Sequence, residues 1–352
     1  MLPNPVVSVV IPAFNASRWI RSTLESASTQ TLREIEIILV DDGSTDATFQ
    51  IGEDFAKKDS RVRLIRITNG GVGEARNAGI RAARGKYIAP LDADDLWETE
   101  KLEMQVRRME ERGEQTGLVY CWSHYIDGNG NHLGANFPAV FEGEARRAVI
   151  LYNFIGNASV PLFRASALRE SGLYLTRNEQ RGAQGCEDWD LSIRIAEKHQ
   201  VGVTRQSLVN YRQDESAMSS RAEGMARSFR IVMDQVRRRN PDIPPLLFRC
   251  SAVQFFGFLA SKSYRNRDFY GCLLASGLAL RSDPITLLNR KLIGLAMKSF
   301  VWLAFGRQHR SIPRLSFRKP ARARRINSLP LPDTCFGRLQ SKRWYRVLRD
   351  GR

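Results

Sequence analysis

The first hundred residues alternate two patterns: short runs apolar at nearly every position, and longer runs apolar only at every third or fourth. Val6–Ile11 is a continuous, largely β-branched run, and Arg18–Ser28 places Trp19, Ile20, Thr23, Leu24 and Ala27 at helical spacing. The same alternation continues with a strand over 35–40, a helix over 45–57, a strand over 61–67, a helix over 73–84 and a strand over 86–91. Such spacing predicts βαβ units and a mostly parallel sheet. Strands covered by helices on both faces have no polar side, which is why they read as apolar runs.

Leu102, Val106 and Met109 mark an amphipathic helix over 99–111. A strand over 118–122, a turn over 127–131, a helix over 142–152, a strand over 159–163, a helix starting at Glu187 and strands near Val201 and Val209 complete the head. After Ser220 the chain reads as helices only, over 222–239, 246–264, 268–280 and 284–305, and the last stretch is rich in Arg, Pro and Ser, a composition of partial disorder. The expected division is a catalytic head over 1–220, a basic helical domain over 221–305 and a basic tail over 306–352.

Composition changes this picture in two places. The net charge of +17 is not spread evenly: residues 1–220 sum to −4 and residues 221–352 to +21. An acidic head with a basic helical tail suggests a catalytic unit plus a surface that docks on anions, rather than a general nucleic-acid binder. Five widely spaced cysteines, Cys121, Cys186, Cys250, Cys272 and Cys335, form no C-x-x-C pair, which argues against a zinc site or disulfide framework and fits a reducing cytoplasm. The N-terminus lacks a basic n-region and no apolar run is long enough for a membrane span, so the expectation is a cytoplasmic chain without a signal peptide or transmembrane helix.

In open parallel sheets ligands bind at the carboxyl ends of the strands. Here those ends carry Pro12-Ala-Phe14-Asn15, Asp41-Asp42-Gly43-Ser44-Thr45-Asp46 and Asp92-Ala93-Asp94-Asp95. Three aspartates at one strand end repel one another, which a shared hard cation, Mg²⁺ or Mn²⁺, relieves; capping of the next helix is the alternative. Asp41 and Asp42 either shape a turn and helix cap or offer a carboxylate to the imide N–H of uracil. Asn69-Gly70-Gly71-Val72-Gly73 opens a helix whose backbone N–H groups are placed to face a diphosphate, and strand one lacks the G-x-G-x-x-G of a dinucleotide-binding dehydrogenase.

Taken in order, the motifs over 7–15, 40–46, 73–79, 91–95 and 186–191 (Cys-Glu-Asp-Trp-Asp-Leu) resemble the family 2 glycosyltransferases of GT-A fold, over about residues 5–215. The resemblance implies an inverting, metal-dependent hexosyltransferase that uses a nucleotide-diphosphate sugar, most often a UDP-sugar. It places Pro12 and Phe14 beside the base, Asp42 on uracil with Asp41 next to it, Asp92 near the ribose and Arg76, and Asp94 on the metal. Arg76 is either a substrate contact or a structural partner of Asp92. Asp188 falls at the catalytic base and Glu187 beside it; the start of a helix favours an ionised carboxylate there at neutral pH. Trp189 is either core or a stacking wall for the acceptor. Asp214 stands where the family often has His after Tyr211-Arg212.

Expected partners are therefore a nucleotide sugar, a saccharide or lipid-linked saccharide acceptor of cell-surface polysaccharide or glycolipid synthesis, and an anionic membrane surface. Phe255, Phe256, Phe258 and Leu259 beside Lys262 and Arg265 suggest a helix lying on lipid. Two other classes are weighed: a sugar nucleotidyltransferase, whose Gly-rich basic loop after strand one is missing, and a basic nucleic-acid-binding protein, for which no motif is present.

Overall fold

The computed structural model describes residues 5–135, 139–213 and 222–305. The chain divides into two compact units, Met1–Ala217 with Ser228–Arg239, and Met218–Arg227 with Asn240–Arg352. Asp214 and the arginine clusters beyond residue 305 lie outside the described residues.

The first unit is built on a nine-stranded mixed sheet. In chain order its elements are β1 (Val7–Ala13), α1 (Ile20–Ser28), β2 (Ile35–Asp41), α2 (Thr48–Ala56), β3 (Val62–Arg66), α3 (Val72–Ala82), β4 (Tyr87–Pro90), β5 (Leu96–Trp97), α4 (Lys101–Arg112), β6 (Thr116–Ile126), β7 (His132–Ala135), α5 (Arg146–Leu151), β8 (Leu162–Arg164), α6 (Ala165–Ser171), α7 (Glu187–Ala196) and β9 (Gln200–Arg212). The sheet order is β3-β2-β1-β4-β8-β6-β9-β5, with β7 on the far side of β6. β1, β2, β3 and β4 are mutually parallel, so the carboxyl ends of β2 and β4 deliver the acidic motifs, and that of β1 delivers Phe14 and Asn15, to one edge of the unit. Every residue of β1 and β2 is buried, which is why both read as mainly apolar runs without polar alternation.

Of the two acids in β2, Asp41 ends the strand, and Glu36 is held by Ser8 Oγ at 2.7 Å and by Arg63 Nη1 at 2.8 Å and Arg84 Nη2 at 2.9 Å. It sits toward the start of β2, away from the strand tips. Helix α3 lies close on β1: a Cβ built on Gly79 would stand 2.4 Å from Val10 Cγ1, so no other residue fits there without a shift.

The strands expected near Val201 and Val209 are one strand, β9, that runs parallel to β6 with register breaks; Tyr120 pairs with Val203 but Trp122 with Ser207. Arg205 and Gln206 bulge into solvent at that point, and their polarity splits the apolar pattern in the sequence. Helix α6 and the short strands β5 and β7 carry no periodicity of their own and were not expected. β5 matters for the site, because its pairs Leu96 with Asn210 and Trp97 with Val209 tie the aspartate loop to the end of β9.

Helix α8 (Ala222–Arg239) contributes its residues from Ser228 onward to the first unit, where Ser228 Oγ donates to Gln180 Oε1 at 2.6 Å and Arg239 Nη2 pairs with Asp190 Oδ1 at 3.1 Å. The second unit contains α9 (Pro245–Arg265), α10 (Phe269–Ser282), a 3₁₀ turn (Pro284–Leu288) and α11 (Arg290–Phe305). The single helix expected over 284–305 is interrupted because Asp283 accepts from Ile285 N–H at 3.1 Å and Asn289 caps a new start through Leu292 N–H at 3.1 Å.

Helix α9 also corrects the expected lipid-facing helix. Phe255, Phe256 and Leu259 are buried among the helices of their unit, and of that group only Phe258 is exposed. A helix apolar on nearly all sides packs into a core rather than onto a flat surface.

Candidate active site

The loops after β1 and β2 are stitched together. Asn15 N–H donates to Ser44 Oγ at 2.9 Å, Thr45 N–H donates to Asn15 Oδ1 at 2.9 Å, and Ala16 N–H donates to Thr48 Oγ1 at 2.7 Å. Asn15 itself adopts φ +49°, the left-handed region that asparagine tolerates best after glycine. Asp46 is partly desolvated, but Thr48 and Ser17 hold its carboxyl down at about 2. Pro12 is buried within β1, opposite Val40, whereas Phe14 projects from the tip with half its surface open.

Both acids at the end of β2 are occupied inside the protein. Asp41 is buried, receives Ser44 N–H at 3.3 Å and faces Arg66 Nε at 3.1 Å. Asp42 is buried and accepts Gly70 N–H at 2.7 Å and Gly71 N–H at 2.9 Å, one on each oxygen. The glycine-rich start of α3 therefore turns two of its backbone donors toward Asp42, not outward to a diphosphate. Gly71 permits this with φ +89°.

The aspartate triplet after β4 divides into three environments. Asp92 pairs with Arg76 Nη2 at 2.6 Å and its N–H donates to Ser159 Oγ at 3.0 Å. Asp95 is fully buried, receives Ser159 Oγ at 2.5 Å and Arg212 N–H at 2.9 Å, and is pushed well above the usual carboxylate range by burial and by Asp94 and Asp92. Asp94 is partly exposed. The repulsion among the three is thus met by a counter-charge on one and by suppressed ionisation of another, so it does not by itself demand a cation. Among the described residues no group of three or more His, Cys, Asp and Glu side chains is arranged to hold a metal ion.

Arg76 joins the strand tips to α7. Buried on α3 and lying over the Tyr174 ring at 5.1 Å, it contacts Asp92 on one side and Glu187 Oε1 on the other, the latter at 3.2 Å. Burial opposes its charge, but Asp92, Tyr174 and Glu187 outweigh that and hold the guanidinium more firmly protonated. Glu187 is locked further by Gly185 N–H, which donates to Oε2 at 2.7 Å. Asn77, next on α3, accepts from Tyr174 N–H at 2.9 Å and donates to Tyr174 O at 2.8 Å, fixing the segment before α7.

Asp188 is the partly exposed member of this acidic pair. Burial and the neighbouring Glu187 push its carboxyl up to about 7, with Arg76 and the Trp189 N–H at 2.7 Å working the other way. The expectation that the helix start keeps this base ionised at neutral pH is therefore corrected: the helix terminus does not outweigh desolvation plus a like charge. Trp189 is core, with Nε1 donating to Val149 O at 2.7 Å and its ring 5.6 Å from Phe229.

Two residues at the site had no readable signal. Ser159 touches both Asp92 and Asp95 from more than sixty positions away. The Tyr174 hydroxyl is buried without a hydrogen-bond partner, next to Asp188, Asp92 and Glu187, which keep it above the usual phenol range after burial has raised it. Arg212, which the closing Tyr211-Arg212 motif did mark, spans the Asp94 loop: Nε donates to Asp94 O at 2.7 Å, Nη1 to Asp127 O at 2.9 Å, and its guanidinium lies 4.1 Å over Trp19.

A mixed sheet flanked by helices, with acids gathered at the parallel strand tips and a carboxylate pair at the start of α7, is the GT-A architecture of nucleotide-sugar transferases. Residues 8–171 match the family model described as Glycosyl transferase family 2, and the chain carries a domain of that family. Among curated relatives, the uncharacterized glycosyltransferase EpsJ of Bacillus subtilis (strain 168) is 44% identical over 114 residues, covering 32% of each chain. The chondroitin synthase of Escherichia coli is 32% identical over 195 residues, 55% of this chain and 27% of that one. These matches span less than half the length of each relative. Among solved structures, S. aureus TarS 1-349 superposes with a TM-score of 0.58 at 17% identity, covering 86% of this chain and 92% of that one. The same protein in complex with UDP-GlcNAc gives 0.53 at 18% identity, covering 78% and 88%.

Proposed function

We propose that the chain transfers a hexosyl group from a UDP-sugar to an acceptor hydroxyl with inversion, in synthesis of a cell-surface polysaccharide or glycolipid. The observation that carries this is Arg76, which binds Asp92 at the strand tips and Glu187 on α7 and so sets the Asp188 carboxyl beside the acidic edge of the sheet. A TarS structure with UDP-GlcNAc at the same fold, and synthases of two polysaccharides among the relatives, support the donor and product classes.

Asp188 is the base. A carboxyl near 7 is matched to taking a proton from an alcohol at neutral pH as that oxygen attacks the anomeric carbon, because Brønsted behaviour favours a pKa close to the working pH. One direct displacement with inversion needs a base for the attacking hydroxyl and no covalent intermediate, and Asp188 fills that role. Phe14, exposed at the tip of β1, offers its ring to the base of the nucleotide, and Asp42 shapes that wall by holding the Gly70–Gly71 turn.

Asp94 is partly exposed, as is Asp92, which is taken up by Arg76, and its donor set fits Mg²⁺ or Mn²⁺ only if the remaining ligands are pyrophosphate oxygens and water, which is the usual habit of Mg²⁺. When bound, such an ion supplies charge stabilisation for the leaving diphosphate. Arg212, holding the Asp94 carbonyl, fixes where that carboxylate points.

The test is thermal stabilisation by UDP with and without Mn²⁺. Asp94→Ala is expected to lose the metal-dependent part, while Asp188→Asn keeps it and loses turnover. Equal Mn²⁺-dependent stabilisation of wild type and Asp94→Ala removes Asp94 as the ligand.

The acceptor proposed is a saccharide or lipid-linked saccharide, used at the inner face of the cytoplasmic membrane. Among the described residues no helix is long and apolar enough to cross a membrane, so any lipid contact made by them is a surface one.

A further inference from the structure

The apolar surface of the second unit is not on α9 but at the end of α11. Met297, Phe300, Val301 and Ala304 recur at i, i+3, i+4 and i+7 and are all exposed, Met297 to 65% and Phe300 to 61%. Trp302 and Leu303 beside them are also open, although the Trp302 ring leans on Phe269 at 4.3 Å. The helix is anchored to its unit by the buried Leu292 and Ser299. Leu287 and Leu288, in the 3₁₀ turn just before it, are exposed as well. Apolar side chains clustered this densely on a surface mark a place that something else covers.

The charges around them identify what does. Helix α11 has three cations, Arg290, Lys291 and Lys298, all exposed, and no Asp or Glu. The 47 residues that follow carry fourteen Lys and Arg against two Asp and Glu. A second copy of α11, or the chain's own continuation, would bring cation against cation. An anionic lipid surface satisfies both features at once: headgroups meet the lysines, and the acyl boundary takes Met297, Phe300 and Val301. Its sixteen described residues span about 24 Å, less than the hydrocarbon core of a bilayer, and three of them are cations.

We infer that α11 is an interfacial helix that docks the protein on anionic lipid, with Phe300 and Val301 inserted and Lys291 and Lys298 at the headgroups. This deepens the proposed action on a lipid-linked acceptor and rests on that reading for its purpose, while its geometry belongs to α11 alone.

The experiment is co-sedimentation of the full chain with phosphatidylglycerol–phosphatidylcholine vesicles and with phosphatidylcholine vesicles. Wild type is expected to bind the first and not the second. The Phe300→Glu/Val301→Glu double variant should lose about tenfold or more in partitioning although the basic tail is intact, and Lys291→Glu/Lys298→Glu should lose a similar amount. Phe300→Glu/Val301→Glu should keep the wild-type melting temperature, since both positions are exposed, and both variants should keep Mn²⁺-dependent stabilisation by UDP. Wild-type binding by Phe300→Glu/Val301→Glu overturns the inference. So does a wild-type oligomer, seen by analytical ultracentrifugation, that this variant dissociates without any change in vesicle binding. Loss of UDP stabilisation in wild type itself would sink the transferase reading and leave the vesicle result to stand or fall separately.

Discussion

Replacing Asp188 with Asn should make the protein inactive and more stable. Burial and Glu187 lift the Asp188 carboxyl from an ordinary 3.8 to about 7, so the folded chain resists its ionisation while the unfolded chain does not. At 1.36 kcal/mol for each pH unit of displacement, that resistance is about 4 kcal/mol once the pH exceeds 7. The sign follows from proton binding: between pH 4 and pH 7 the folded state keeps a proton that the unfolded state has shed, so wild-type stability falls as pH rises through that window. Asn removes the charge but keeps an oxygen for the Trp189 N–H. At 2–4 °C per kcal/mol for a domain of this size, Asp188→Asn should melt roughly 8 °C or more above wild type at pH 8, with the gap closing toward pH 4. Differential scanning calorimetry of both proteins from pH 4 to pH 8 reads this directly. A gap that is absent at pH 8, or that does not change with pH, refutes the argument that Asp188 is held against its charge.

Three further outcomes follow from the same geometry. Arg76→Met strands Asp92 and Glu187 without their shared counter-charge and should cost about 3–5 kcal/mol in urea unfolding, while moving the acid limb of the pH–rate profile upward because Arg76 opposes the rise at Asp188. Trp189→Ala should cost about 3–5 kcal/mol as a core deletion; a raised KM for acceptor with unchanged melting would instead make Trp189 a stacking wall. Ser159→Ala removes a donor to buried Asp95 and the acceptor of the Asp92 N–H, and should cost about 1–3 kcal/mol by denaturant titration.

The α/β alternation, the parallel order of the first four strands and the family were legible in the residues, because buried strands and amphipathic helices leave local periodicities that need no partner to be recognised. The short strands β5 and β7 and helix α6 were not, since a few residues of strand or helix have too little period to stand out. Chemistry showed a similar divide. The order of motifs marked out Asp92, Asp94, Glu187 and Asp188, but the sequence suggested that three crowded aspartates needed a cation, that Gly70 and Gly71 faced outward and that α9 faced lipid. The fold supplies other partners: Arg76 pairs with Asp92 and burial suppresses the charge of Asp95, Asp42 takes the glycine donors, and neighbouring helices cover Phe255 and Phe256. Local pattern fixes which residues carry charge or apolar surface. What each charge feels depends on neighbours brought from more than a hundred residues away, as Arg76 is to Glu187, and only packing in three dimensions decides that.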